Sequence, residues 1–196
     1  MAGRRISILS IAVPAFAAGT AAFSFIALLQ LIPGSDMPAI LPLAQPHLDR
    51  AAALLNGPHR NDPAVLARAE TEAYQALDTS PMRTDAWLTV AFIEEKKSGR
   101  LTPKAAEALD RSYVVGPLDP DVGLWRLKFG FDNWPHLSKE LQNDAIRELS
   151  AVWTRGDKHD ELRQVGAQVS DPAGRLAYQI QITLLERDEG DLRTHD

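Results

Sequence analysis

ISILSIAVPAFAAGTAAFSFIALLQLI, residues 6–32, is the stretch that decides how this chain is organised. It contains no charged residue, follows Arg4 and Arg5, and ends at Pro33 and Gly34. As a helix rising about 1.5 Å per residue it would extend roughly 40 Å, enough to cross a hydrocarbon core of about 30 Å. We therefore predict a single transmembrane anchor over residues 1–33, with a separate domain behind it.

A cleaved signal peptide and a buried core helix are the two alternatives for this stretch. Ala15, Phe16 and Ala17 resemble a small-x-small cleavage site that follows a basic start. However, the apolar run continues to residue 32, so cleavage after Ala17 would leave an uncovered apolar N-terminus. A core helix usually carries some polar face, which this stretch lacks. An uncleaved anchor is therefore the favoured interpretation.

The charges on either side of the stretch predict its orientation. Arg4 and Arg5 precede it, whereas residues 33–46 contain Asp36 and neither Lys nor Arg. Basic residues beside a span favour the cytoplasmic side of the membrane. We therefore expect a single-pass protein of the inner membrane whose domain lies in the periplasm. Small residues that would let another membrane helix approach closely are Ala15, Ala18, Gly19 and Ala22.

Composition limits the kind of domain and its partners. The chain has 196 residues, a net charge of −5 and no cysteine. The acidic balance argues against nucleic acid as a partner, and the five His residues are scattered singly rather than in a metal-ligand spacing. We expect one domain that contacts protein partners and, through its anchor, the lipid bilayer.

Helical patterns and proline breaks divide the remaining chain. Prolines make residues 34–46 an extended linker. Asp62-Pro63 and Thr102-Pro103 each combine an N-cap residue with proline at the first helical position. No run alternates in the manner of a strand, so we predict an all-α domain over residues 47–185 and a charged flexible tail over 186–196. The last helix is marked by Leu176, Ile180 and Leu184.

The spacing of Ala69, Ala76, Pro81 and Trp87 resembles the tetratricopeptide repeat. In that repeat small residues mark the second helix, proline follows it, and tryptophan opens the next unit. The second unit is looser and needs an insertion near residues 101–103 before it matches again at Ala105, Ser112 and Pro117. The resemblance covers about residues 50–117 and implies a solenoid of antiparallel helix pairs. Trp87 is then expected to be a packing residue.

The resemblance also implies where a partner would bind. The first helix of each pair lines the concave surface, and residues away from its packing stripe would face a guest. On the helix that begins near Asp85 these are Asp85, Leu88, Phe92 and Glu95. The alternative is that another helix covers Leu88 and Phe92. Trp134, in the break at Asn133-Trp134-Pro135, could serve either the core or a partner contact.

His136, near Asp132, and His159 resemble fragments of catalytic dyads, but no recognised motif for catalysis, phosphate binding or metal binding accompanies them. The segment around His159, residues 157–161, is better explained as a solvated turn. Our expectation is therefore a non-enzyme without a cofactor. Proteins that resemble this layout serve as assembly factors in cytochrome maturation, secretion, envelope chaperoning or polysaccharide export. We expect a periplasmic adaptor or scaffold of that kind. The alternative is a small helical envelope enzyme, of hydrolase or lytic type, with a single essential carboxylate.

Overall fold

The structure is a computed structural model that describes residues 43–193, with side chains described through residue 190. This part of the chain forms eight α-helices and one short 3₁₀ helix and contains no strand, which confirms the all-α prediction. The α-helices are α1 Ala44–Asn56, α2 Pro63–Thr79, α3 Thr84–Ser98, α4 Pro103–Val115, α5 Gly123–Asp132, α6 Lys139–Thr154, α7 His159–Gln168 and α8 Pro172–Arg193. The 3₁₀ helix is Trp134–His136.

The predicted anchor, residues 1–33, lies outside the described residues, as does most of the predicted linker. Between residues 43 and 193 no helix is both long enough and apolar enough to cross a membrane. Helix α1 begins at Ala44, so the last residues assigned to the linker already form its first turn.

Side-chain caps fix the helix starts that the sequence indicated. The Asp62 carboxylate accepts a hydrogen bond from the backbone N–H of Ala64 at 2.8 Å, and Pro63 follows at the first helical position. The Thr102 hydroxyl likewise accepts from the N–H of Ala105 at 3.1 Å. Because these caps satisfy N–H groups that have no partner within the helix, they set where α2 and α4 begin.

Helices α1 to α4 form the first half of the fold, and each packs on the next in the chain. Small side chains allow this close approach, because Ala69, Ala73 and Ala76 on α2 are completely buried. Helix α3 packs against both α2 and α4, and it is buried over most of its circumference. The first hydrophobic cluster draws most of its members from these four helices.

The second half is arranged around α5 rather than as a further simple stack. Helix α5 packs against α6, α7 and α8, and a second hydrophobic cluster fills the space between them. At Gly174 an added Cβ would lie 1.8 Å from the carbonyl oxygen of Phe131, so only glycine lets α8 cross α5 this closely. The packing of each helix on the next, which holds for α1–α4, therefore does not continue through residues 123–193.

Helix α8 departs from two sequence expectations. It continues to Arg193, so most of the charged tail predicted to be flexible is helical. Leu185 packs on the second cluster and Arg163 of α7 pairs with Glu186 at 3.1 Å, which extends the helix into this charged segment. The face that packs inward carries Tyr178, Ile182 and Leu185, whereas the residues that marked the helix in the sequence, Leu176, Ile180 and Leu184, are exposed.

Candidate functional site

The four residues predicted to face a partner on α3 do not share one environment. Leu88 is fully buried in the first hydrophobic cluster, so the expectation that it contacts a partner is wrong for this conformation. The reason is that α3 is covered on several sides at once. Asp85 pairs with Arg83 at 2.5 Å and orders the start of the helix. Phe92 and Glu95 are half-buried.

Trp134 is a packing residue in this structure. Its ring stacks on that of Phe131 with centroids 4.7 Å apart and planes nearly parallel. It contacts both hydrophobic clusters, so it joins the two halves of the fold. Among the other aromatic residues expected to pack, Phe129 and Trp153 are buried, Trp87 is half-buried, and Trp125 remains 37% exposed.

A groove lies where the end of α1 and the loop after it face α3. We call it the α1–α3 groove, and it encloses about 280 Å³. A second hollow of about 500 Å³ adjoins it along the α1–α2 loop and shares three of its residues. The α1–α3 groove is lined by Leu55, Asn56, Arg60, Asn61, Phe92 and Lys96.

Apolar side chains line one part of the groove. Leu55 and Phe92 pack partly against the first hydrophobic cluster and keep part of their surface accessible. The Phe92 ring meets Trp125 of α5 edge-on, with centroids 5.9 Å apart. The contact between the two rings makes the apolar surface continuous from α3 onto α5. Edge-to-face contacts of this kind are a favoured arrangement of aromatic pairs. Part of this surface is open to solvent, since Phe92 is half-buried and Trp125 is 37% exposed.

The polar side of the groove is rich in hydrogen-bond donors. Lys96 lies over the Phe92 ring at 5.3 Å from its centroid. Neither Arg60 nor Lys96 has a salt-bridge partner among residues 43–190. Asn56 and Asn61 add two carboxamides to the same lining. The groove therefore carries two available cations in a chain that is acidic overall.

The neighbouring lysines of this surface are already engaged by carboxylates. Lys97 and Lys104 both pair with Glu70, at 2.7 and 2.8 Å, and both approach Glu94 at 3.2 Å. Burial alone would raise the pKa of Glu70, but hydrogen bonds from Lys104 and Lys97 outweigh it and lower that pKa to about 2. These ion pairs connect α2, α3 and α4, so Lys97 and Lys104 are not available to a partner. Lys96, in contrast, has no ion pair within residues 43–190.

A second polar site lies where the end of α4 meets α5 and α6. The guanidinium of Arg126 is completely buried and pairs with Glu148 at 2.5 Å. It also donates to the carbonyl oxygens of Ser112 at 2.7 Å and Gly116 at 3.1 Å. Its plane covers the Tyr113 ring at 4.2 Å. Arg126 thus connects the last turn of α4 to α6.

Sequence reasoning missed this ion pair. A signal was present, because Arg126 interrupts an otherwise apolar run at the start of α5. A charged residue that is buried requires a partner, so such an interruption indicates a paired interior charge. Burial raises the pKa of Glu148, and the attraction of Arg126 offsets only part of that rise.

A small cavity opens beside this ion pair. We call it the Tyr113 cavity; it has a volume of about 190 Å³. Tyr113 is 8% exposed, and its hydroxyl oxygen is buried next to the Glu148 carboxylate, although no hydrogen bond of standard geometry joins them. Burial and the nearby Glu148 charge raise the pKa of that hydroxyl. The cavity is lined by Tyr113, Pro117, Leu118, Asp144, Arg147 and Glu148.

The histidines noted in the sequence do not assemble a catalytic or metal site here. The His159 ring stacks on Trp153 and its Nε2 lies 2.9 Å from the Trp153 carbonyl oxygen. His136 ends the 3₁₀ helix and is exposed. Over the described ranges, no three His, Asp or Glu residues are grouped in a way that could hold a metal ion.

Comparison of the chain with family models, with curated proteins and with solved structures finds no match.

Proposed function

We propose that this protein is a membrane-anchored adaptor that holds a partner protein of the cell envelope in the α1–α3 groove. The anchor and the periplasmic position of the domain rest on the hydropathy and charge of residues 1–46. The pairing of α1 with α2 and of α3 with α4 is of the kind that the tetratricopeptide resemblance implies. In that arrangement α1, α3 and α5 would contribute to one binding surface.

The observation that carries the proposal is the composition of the groove. Phe92 and Leu55 offer apolar surface that is partly accessible, while Arg60 and Lys96 are cations without an ion-pair partner in residues 43–190. This combination suits a peptide segment that carries a bulky apolar side chain beside acidic residues. The proposed partner segment is therefore acidic. The sequence had suggested instead that this chain contributes acidic residues, Asp85 and Glu95, to the contact.

The alternative function, a hydrolase with one essential carboxylate, has a structural candidate in Glu148. Its pKa is raised by burial, as a general acid requires, and it borders a cavity. However, Arg126 donates to both of its carboxylate oxygens at 3.1 Å or less. An ion pair of this geometry favours a structural role for Glu148, so the adaptor is the better supported proposal.

A peptide-display selection against the full chain tests the proposal. Random peptides are selected on the detergent-solubilised protein and sequenced. We expect enrichment of peptides with two or more acidic residues next to Leu, Ile, Phe or Trp. Their binding should weaken by about tenfold or more in Lys96→Glu, because the substitution replaces an attractive charge in the groove by a repulsive one.

The matched control is Arg111→Glu, which makes the same charge change on an exposed position of α4 outside the groove. Binding to this variant should stay within about twofold of the parent, since an exposed charge distant from the ligand is screened. Selection of basic peptides, or equal losses in both variants, would show that the α1–α3 groove is not the acidic-segment site.

A further inference from the structure

Helix α8 has a second apolar face, on the side that points away from the rest of the described chain. Its inward face packs on the second hydrophobic cluster. On the opposite side, Leu176, Ile180 and Leu184 follow one another at four-residue spacing and are 58%, 53% and 38% exposed. We call these three residues the α8 stripe. Single exposed aliphatic residues are common, but three in line on one helix face indicate an interaction surface.

The surroundings of the α8 stripe favour the approach of another helix. Residues 176–185 contain no charged side chain, although 24% of the chain is Asp, Glu, Lys or Arg. Gln179 and Thr183, which flank the stripe, are exposed and also line an open hollow of about 430 Å³ between α7 and α8. Helix α7 therefore leaves this flank of α8 open, and a helix that covers the stripe buries no charge of α8 there.

The stripe is symmetric along the helix axis. Leu176 and Leu184 each lie four residues from Ile180, which is about 6 Å of helix rise on either side. A second α8 that runs antiparallel, with a two-fold axis at Ile180, would place Leu176 of each copy against Leu184 of the other. The two Ile180 side chains would meet at the axis. Such a self-complementary contact is the commonest way in which identical chains associate.

The charges beyond the stripe favour the antiparallel arrangement over the parallel one. Asp188 lies one turn after Leu184 and is exposed. In a parallel pair the Asp188 carboxylates of both copies would lie side by side. In an antiparallel pair each would lie beside the first turn of the other α8, where free N–H groups and the helix dipole favour a negative charge. The neighbouring Arg187 is exposed and long enough to keep its guanidinium in solvent.

We propose that a second copy of this chain docks on the α8 stripe as an antiparallel helix pair. Three partly exposed aliphatic residues per copy cover much less than the roughly 800 Å² that each partner contributes to a stable interface. The dimer is therefore weak and reversible, and it forms most readily when copies are held close together. It does not use the α1–α3 groove, so it is independent of the adaptor proposal.

Single-cysteine variants of the full chain test this contact, because the chain has no cysteine of its own. Ile180→Cys is oxidised in detergent solution, and the linked dimer is followed on non-reducing gels. A disulfide forms only when two Cα atoms come within about 7 Å. We expect linking at least about tenfold faster than in the control Arg111→Cys, exposed on α4, because docked copies hold the thiols at a high effective concentration. Equal rates would overturn the proposal.

Two further variants test the direction of the pair. Leu176→Cys and Leu184→Cys are prepared with tags of different size and oxidised alone and as a mixture. The antiparallel pair predicts a linked species in the mixture that contains one copy of each variant, and little linked dimer from either variant alone. Linking of each variant with itself as fast as in the mixture would overturn the antiparallel arrangement.

A last comparison separates the α8 contact from association through the apolar N-terminal stretch. Leu176→Lys with Leu184→Lys, added to Ile180→Cys, should lower the linking rate to that of Arg111→Cys and leave the melting temperature unchanged, since both leucines are exposed. Val114→Lys, at a 63% exposed position of α4, is the matched control and should leave linking unchanged. Linking that persists in the lysine variant, or a lower melting temperature that assigns the stripe to the core, would overturn the proposal.

Discussion

Removal of the buried Arg126 guanidinium should destabilise the domain more than removal of any exposed cation. In Arg126→Met the side chain keeps comparable bulk, but Glu148 is left buried without its partner, and two carbonyl oxygens lose their donor. Breaking a buried ion pair by removing one partner costs about 3–5 kcal/mol. Since domains of this size are stable by roughly 5–15 kcal/mol, the expected loss is a large fraction of the total.

The loss should also depend on pH in a defined direction. Burial holds the pKa of Glu148 above its ordinary value of 4.5, and removal of the Arg126 charge should raise it further. An acid whose pKa is higher in the folded state binds extra protons there, so the free energy of unfolding falls as pH rises through that range. We therefore expect Arg126→Met to be less destabilising near pH 5 than near pH 8.

Equilibrium urea unfolding of the full chain, followed by circular dichroism, measures both effects. The matched control is Arg147→Met, which removes an exposed ion pair with Asp144 and should cost about 0–1 kcal/mol. Arg126→Met combined with Glu148→Leu should recover part of the loss, because the unpaired charge is removed. A loss below about 1 kcal/mol in Arg126→Met, or one that does not change with pH, would refute the role assigned to this pair.

Three further predictions follow from other parts of the chain. Gly174→Ala should lower the melting temperature because its Cβ would lie 1.8 Å from the Phe131 carbonyl oxygen, whereas Gly190→Ala, with open space around it, should leave the temperature unchanged or raise it. Glu70→Gln should reduce the fall in the free energy of unfolding on acidification. The Glu70 carboxyl, with a pKa of about 2, contributes stability that is lost as pH falls from about 4.5 towards 2. A reporter that is active only outside the cytoplasm, fused after Asp196, should be active, and its activity should drop when both arginines before the span become Glu; an inactive parent fusion contradicts the predicted orientation.

Local sequence signals predicted where some helices of this fold begin and which face of α2 is buried. Proline after an Asp or Thr cap marked the starts of α2 and α4, because these residue types satisfy the free N–H groups of a helix N-terminus. The buried alanines on α2 were also visible from their spacing. Such features depend only on neighbours in the chain, which is why a single sequence reveals them.

Features that depend on distant contacts were not visible. Leu88 resembled an outward-facing residue because a one-sided helix was assumed, whereas α3 packs against helices on both sides. The groove lining likewise joins a loop after α1 to the end of α3, so the unpaired Arg60 and Lys96 meet only in the folded chain. Phe92 is half-buried at this groove, and its cationic surroundings were not predicted because Arg60 is distant from it in the sequence.

Photo-cross-linking in living cells tests the central proposal most directly. A photoreactive residue replaces Asn61 in the lining of the α1–α3 groove, which leaves Arg60 and Lys96 in place, and in a matched strain it replaces the exposed Arg111 of α4. Mass spectrometry then maps the cross-linked position on the captured protein. The adaptor proposal predicts a cross-link from position 61 alone, to an acidic segment with a bulky apolar residue in an envelope protein. A cross-link to a basic or uncharged segment, or equal capture from both positions, would contradict it.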